Sequence, residues 1–169
     1  MSTLRSVLIL TALTLLAPTA VQPQSLAEFV DAGRFEDAAA ALAAATPEEA
    51  DAGAELIFNG AYRVGFLRQD FIYATRGFAA AKGIPGLSEG RQSMLAFWHG
   101  LARFQSAIPM ARDQNMASAQ SALPLFREAH ALISASGDYP ASVNMDIGTL
   151  FRGLEQFIGI QEAIIRRGY

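Results

Sequence analysis

The most constraining stretch of the sequence runs from Asp70 to Lys82 and reads DFIYATRGFAAAK. Its apolar residues recur at steps of three and four positions, which places them on one face of an α-helix. Along that face aromatic rings alternate with methyl groups, at Phe71, Ala74, Phe78 and Ala81. A second helix can approach closely at the alanines and pack around the rings. The stretch therefore predicts a helix that lies against other helices.

The same order of small, large and small side chains occurs in two other places. The upstream copy is Ala38, Leu42 and Ala45, and the downstream copy is Ala122, Phe126 and Ala129. No stretch shows the strict alternation of apolar and polar residues that is typical of a half-buried strand. We expect an all-α fold without a β-sheet, in which antiparallel helix pairs stack through these faces.

Capping signals and helix breakers predict where the helices begin and end. Ser25 with Glu28, and Thr46 with Glu49, match the capping box, and Ser88 is a further N-cap candidate. Gly33 offers a left-handed position that ends the first helix. The expected helices cover about 25–32, 35–45, 46–65, 71–82, 88–108, 119–134 and a last one from Ser142 or Asn144 to Arg167. Pro124 is tolerable only in the first turn of its helix, which favours Ala122 over Ala119 as the start of that helix.

Composition excludes several classes of function. The chain has 169 residues with a formal charge of −3, which is too acidic for general nucleic-acid binding. It has no cysteine, which excludes disulfides and thiol catalysis. It has only two histidines, His99 and His130, which is few for a zinc or iron site. We therefore expect no metal and no cofactor.

The N-terminus resembles a secretory signal peptide. Arg5 precedes an uncharged, leucine-rich segment at 7–17, which is too short to span a bilayer. We predict a signal peptide at 1–20, a single helical domain at 21–169, and a periplasmic or secreted protein with no stable membrane span once the signal is removed. Cleavage after Ala27 is the alternative position, and an uncleaved anchor or a buried helix is the alternative interpretation of the segment.

Spacing and motif together resemble tetratricopeptide repeats. The first two copies begin 36 residues apart and the next two 48 apart, and a period in the mid-thirties with Ala-x3-Phe-x2-Ala on the second helix is typical of that family. Gly33-x-Phe35 resembles its turn into the second helix, and Trp98-x-x-Leu101 resembles its Trp-x2-Leu start. Phe58 stands where that family has tryptophan. An irregular helical bundle without a true repeat is the alternative, and it has the same fold class.

The resemblance implies a concave groove that binds an extended peptide or a partner helix. By the family pattern four residues face that groove: Asn59, Arg63, His99 and Arg103. Two arginines in one groove suit a carboxylate, such as an acidic side chain or a C-terminus. Alternatively, both arginines are solvated or pair with Asp51, Glu55 or Glu89.

These observations predict a non-enzymatic, periplasmic helical-repeat adaptor that binds a segment of another envelope protein. A helical bundle that holds an apolar small ligand is the alternative. An enzyme that uses His99 or a carboxylate such as Asp138 has the least support, because no nucleophile motif or paired carboxylate lies near His99 in the sequence.

Overall fold

The computed structural model describes residues 25–143 and 145–168. Its helices are α1 (Leu26–Asp31), α2 (Phe35–Ala40), α3 (Pro47–Gly65), α4 (Phe71–Lys82), α5 (Glu89–Ala107), α6 (Met116–Ser134), α7 (Tyr139–Ser142) and α8 (Ile147–Arg167). A 3-10 turn at Pro109–Ala111 lies between α5 and α6. Because the described ranges contain no strand, the predicted all-α fold is confirmed.

The predicted helix starts at Ser25, Thr46 and Ser88 are confirmed. Ser25 and Thr46 form complete capping boxes, in which each side chain accepts a hydrogen bond from the backbone three residues on and the glutamate there bonds back. Ser88 accepts from the backbone N–H of Arg91 and caps α5. Gly33, with a φ of 69°, follows α1 in the left-handed conformation.

Each long helix packs mainly against its neighbours in the chain. α3 packs on α4, α4 on α5, α5 on α6 and α6 on α8, while α1 and α2 lie against α3 and α4. The buried side chains form two clusters, one centred on α3 and α4 and the other on α5, α6 and α8. The molecule is therefore a row of packed helix pairs.

Two of the three small–large–small faces are buried as predicted. Ala74, Phe78 and Ala81 of α4 and Ala122, Phe126 and Ala129 of α6 are all fully buried. The prediction for the upstream copy is wrong, because α2 ends at Ala40 and Leu42 lies beyond it. There the chain forms tighter turns, with Leu42 N–H donating to Ala39 and Ala43 N–H to Ala40. The side chain of Leu42 covers Gly53 of α3 instead.

The start of α6 also differs from the prediction. It begins at Met116, where Asn115 and Ser118 form a reciprocal cap, so Pro124 lies inside the helix and not in its first turn. Pro124 is exposed. Because proline has no N–H, one carbonyl in the preceding turn of the helix lacks its usual partner. On the exposed face that carbonyl can bond to water, which makes the proline tolerable there.

The last helix begins later than predicted. Asp146 caps α8 by accepting a hydrogen bond from the Thr149 N–H, and Ser142 belongs to the short helix α7. Three glycines in the sequence of this helix, Gly148, Gly153 and Gly159, favour close packing against this chain or a second copy. A Cβ added at Gly153 or Gly159 meets nothing within 4 Å, so this chain does not supply such packing at those two positions.

The predicted signal peptide at 1–20 lies outside the described residues. Ala27, the alternative cleavage position, lies within α1, so cleavage there would remove the Ser25 cap. Within the described ranges, no helix combines the length and the apolar character that crossing a bilayer requires.

Candidate binding surface

Asn59 and Arg63 lie one turn apart on the exposed side of α3. Together with residues of α1 they line an open depression of about 350 Å³. The Arg63 guanidinium lies 3.7 Å from the Asp31 carboxylate of α1, and both side chains are largely exposed. Such an exposed, long ion pair contributes little to stability, so the Arg63 guanidinium can exchange Asp31 for another carboxylate at low cost.

An apolar groove of about 640 Å³ adjoins this depression. It is lined mainly by alanines and leucines between α1, the turns after α2, and α3, including Leu26, Leu42 and Leu56. Leu56 lines both the groove and the depression and is 38% exposed. We call the combined area the α1–α3 surface, defined by Leu26, Leu42, Leu56, Asn59 and Arg63.

His99 lies in the packed interior of the molecule and not on an open face. Its side chain is 6% exposed, and neither ring nitrogen has a hydrogen-bond partner. Burial lowers the pKa of His99 to about 4, although the Glu128 carboxylate opposes this shift. The imidazole is therefore neutral near pH 7.

Arg103 lies one turn after His99 on α5 and binds Glu128 of α6. Its Nε donates to Oε2 at 2.8 Å and its Nη2 to Oε1 at 3.1 Å. This two-pronged geometry is the stronger form of an arginine–carboxylate pair. The guanidinium is already bound within the chain, and it joins α5 to α6.

The four predicted site residues therefore divide into two pairs. Asn59 and Arg63 line the α1–α3 surface, whereas His99 is buried and Arg103 is bound to α6. Of the alternatives for the two arginines, solvation fits Arg63, whose side chain is 66% exposed. The carboxylates that pair with Arg63 and Arg103 are Asp31 and Glu128, and not Asp51, Glu55 or Glu89. Asp51 accepts two hydrogen bonds from Ser88, and Glu55 pairs with Arg91.

Aromatic side chains fill the space between α3 and α5. The Trp98 ring contacts Phe58 and Tyr62 of α3 and Phe66, which directly follows α3. The distances between ring centroids are 5.1 to 6.1 Å. The Trp98 indole N–H donates to the Tyr139 hydroxyl at 3.1 Å. Trp98 therefore has a structural role at the junction of α3, α5 and α7.

Sequence reasoning missed the apolar half of the α1–α3 surface. Leu26 and Leu42 come from separate elements, and only the fold brings them together with Leu56. A sequence signal did exist at Leu56, since it lies three residues before Asn59 and seven before Arg63, on one helix face. Among the described residues, no group of three His, Asp or Glu side chains is placed to hold a metal ion.

Comparison with protein-family models, with curated proteins and with solved structures gives no match to this chain. The candidate site is therefore defined by its geometry alone.

Proposed function

We propose that this chain is an exported, tetratricopeptide-repeat-like adaptor that binds a segment of another envelope protein on the α1–α3 surface. Two things support the repeat: the helix pairs pack in chain order, and the Ala-x3-Phe-x2-Ala faces of α4 and α6 are buried. Export is supported by the signal-like sequence at 1–20. In this proposal cleavage follows Ala20, because that position leaves the cap of α1 intact.

The binding proposal rests on one observation. The apolar groove is continuous with the depression that contains the Arg63 guanidinium. Leu56 belongs to both parts, so one extended segment can place an apolar side chain near Leu42 and a carboxylate near Arg63. Arginine suits a carboxylate because its planar fork matches the two oxygens. The proposed partner is an acidic segment or a C-terminus of a protein.

The proposal limits the contact residues to Asn59, Arg63 and their apolar neighbours. His99 is buried and Arg103 is bound to Glu128, so we assign both to the packing of α5 against α6. An apolar ligand between helices requires an enclosed cavity, whereas the grooves of the α1–α3 surface open to solvent. The observations thus favour a polypeptide segment over a small apolar molecule.

The test is capture of partners from an envelope extract by the mature chain, beside Arg63→Glu and Arg68→Glu. Arg68 is exposed and has no ion pair among the described residues, so it is a matched control for the charge change. We expect a partner retained by the parent chain and by Arg68→Glu but lost with Arg63→Glu. Equal retention by both variants would exclude Arg63 from the interface.

A further inference from the structure

Two turns of the molecule are built in the same way from different residues. One follows α3 and the other follows α5, and each contains a glutamine in the left-handed conformation, Gln69 with a φ of 60° and Gln114 with a φ of 49°. Among the described residues, no other non-glycine residue has a positive φ. The next residue in each turn, Asp70 or Asn115, caps the following helix. We call these segments the first turn, at 66–72, and the second turn, at 108–116.

Both turns carry large apolar side chains into solvent. Leu67 and Ile72 of the first turn are 71% and 63% exposed, and Met110 and Met116 of the second turn are each 41% exposed. These four are more than half of the seven large apolar side chains that are exposed in the described ranges. Single exposed apolar residues are normal on a protein surface, but a concentration of them marks contact with a partner or a membrane.

Both turns also present an arginine that is available to an anion. Arg68 and Arg112 are exposed, and neither forms an ion pair with a described residue. The acidic residues of the two turns are Asp70, whose carboxylate accepts a hydrogen bond at the cap of α4, and Asp113, which is exposed. Each turn thus combines two apolar side chains with one unpaired guanidinium.

The two turns lie at the same end of the molecule. α3 and α5 begin side by side, because the Asp51 carboxylate of α3 accepts two hydrogen bonds from Ser88, the cap of α5. One turn further along, Glu55 pairs with Arg91. Both helices are 19 residues long, so they end together as well, and the two turns follow these ends.

The last turn of α8 adds positive charge beside the second turn. Ile160 and the buried Gln161 of α8 line a depression together with Arg112. Further along α8, Arg166 and Arg167 are exposed, and Arg167 forms no ion pair with a described residue. The opposite end, where α3, α5 and α8 begin, carries acidic residues instead: Glu48, Glu49, Glu89 and Asp146. A chain with a formal charge of −3 therefore has one end that is apolar and positive.

We propose that this end binds the surface of an anionic phospholipid bilayer. Its contact area is the two-turn surface, defined by Leu67, Arg68, Ile72, Met110, Arg112 and Met116. The apolar side chains insert below the headgroups, and the guanidinium groups pair with lipid phosphates. A bilayer suits this surface better than a protein does, because the side chains protrude from separate turns and a fluid surface accepts them without a matching shape. Contact with such a bilayer in the cell rests on the proposed export, whereas the chemistry of the turns does not.

The experiment is co-sedimentation of residues 21–169 with vesicles of equal parts phosphatidylglycerol and phosphatidylcholine, beside vesicles of phosphatidylcholine alone. The apolar segment at 7–17 is left out because it would bind vesicles by itself. Each arginine near an anionic surface strengthens binding by about fivefold, so we expect the anionic vesicles to bind at least about tenfold more tightly. No binding, or equal binding to both kinds of vesicle, would overturn the proposal.

Variants of exposed residues assign the binding to the two turns. Leu67→Glu and Met116→Glu should each weaken binding to anionic vesicles by about tenfold, because an inserted apolar side chain is lost. Arg112→Gln should weaken it by about fivefold. The matched control is Val143→Glu, since Val143 is an exposed apolar residue that follows α7 at the opposite end. If Val143→Glu weakens binding as much as the turn variants do, net charge alone explains the effect and the proposal is wrong.

Site-specific labels measure the orientation. The chain has no cysteine, so Leu67→Cys, Met116→Cys and Val143→Cys can each carry one environment-sensitive fluorophore. On anionic vesicles the emission should shift to shorter wavelengths at the first two positions only, and equal shifts at all three would contradict the proposed orientation.

The same surface could instead bind a protein, and this outcome is separable. If the parent chain ignores vesicles but captures a protein that Leu67→Glu loses, the lipid proposal is wrong. The two proposed sites are also separable, because a detergent-solubilised envelope extract contains no bilayer. Arg68→Glu should keep the protein partner in that extract and weaken vesicle binding, whereas Arg63→Glu should lose the partner and keep vesicle binding.

Discussion

The α3/α4 and α5/α6 pairs use the same small–large–small face but complete it in different ways. Between α3 and α4, glycine lies against alanine on both helices, and a Cβ added at Gly65 or Gly77 would lie 2.1 or 2.3 Å from the methyl group of Ala74 or Ala61. Between α5 and α6, rings fill more of the space, with Phe126 contacting Phe104 and also Phe157 of α8.

Both pairs contain a close-approach glycine, since a Cβ added at Gly100 of α5 would lie 3.0 Å from the Ala129 carbonyl oxygen of α6. The pairs differ in what fills the rest of the face. In the first pair, absent side chains allow the backbones to approach, and any added atom must push them apart. In the second, a third helix contributes a ring to the same cluster, so the fit depends on side-chain shape. The second pair also encloses His99, whereas no buried histidine lies in the first among the described residues.

The largest expected effect comes from removing the central ring of either face. Phe78 and Phe126 are both fully buried, so Phe78→Ala and Phe126→Ala should each lower the free energy of unfolding by about 3–5 kcal/mol. Urea unfolding followed by circular dichroism measures both. A loss below about 1 kcal/mol for one variant would show that its face is not a core of the native state.

Acidification should affect the second pair through His99. Its pKa is about 4 in the folded chain and near 6.5 when unfolded, so the unfolded state binds more protons between these values. Stability should therefore fall as the pH drops from about 6.5 to 4, by up to roughly 3 kcal/mol. His99→Leu should abolish this slope. An unchanged slope in that variant, measured by urea unfolding across the window, would assign it to other groups.

Alanine substitution at glycine should give opposite signs in the two kinds of environment. Gly77→Ala places a methyl group against Ala61 and should destabilise the chain by about 1–3 kcal/mol. Gly153→Ala adds its methyl group in open space on α8 and should stabilise by about 0.5–1 kcal/mol, because alanine is the better helix former. Thermal unfolding of both variants tests the comparison, and two shifts of the same sign would contradict it.

The smallest expected effects concern the ion pairs at the two predicted site positions. A double-mutant cycle should give the half-buried pair of Arg103 and Glu128 a coupling of about 1 kcal/mol, and the exposed pair of Arg63 and Asp31 less than about 0.5 kcal/mol. Substitutions to alanine and chemical denaturation provide the measurements. If the exposed pair couples more strongly, Arg63 is not free to exchange partners.

Local sequence signals correctly predicted the features of the fold that depend on residues close together in the sequence. The caps at Ser25, Thr46 and Ser88 need only residues three positions apart, and the structure forms all three. The end of α2 was missed because an alanine-rich tract has no stop signal of its own, and the contact of Leu42 with Gly53 is a tertiary one. The rule that confines proline to the first turn predicted the wrong start for α6, because Pro124 lies inside that helix on its exposed face. Which face of a helix is exposed depends on tertiary packing and is not visible at the proline itself.

The candidate site was harder to predict, because its contacts join distant parts of the chain. Arg103 and Glu128 are 25 residues apart, and Arg91 pairs with Glu55 across 36. Spacing on one helix indicated which residues share a face with Asn59 and Arg63. It carried no information on which neighbouring helix would supply their partner, nor on the burial of His99 and Gln161.

The packing of each long helix on its neighbours in the chain has a consequence for how the molecule opens. Contacts between sequence neighbours close short loops, a topology associated with fast folding. Rows of this kind also fray from their ends, since a terminal helix has one neighbour and an inner helix has two. Amide protons of α4 and α5 should therefore exchange most slowly and those of α1 most quickly. The α1–α3 surface includes α1, so occupancy of that surface should slow exchange in α1 first.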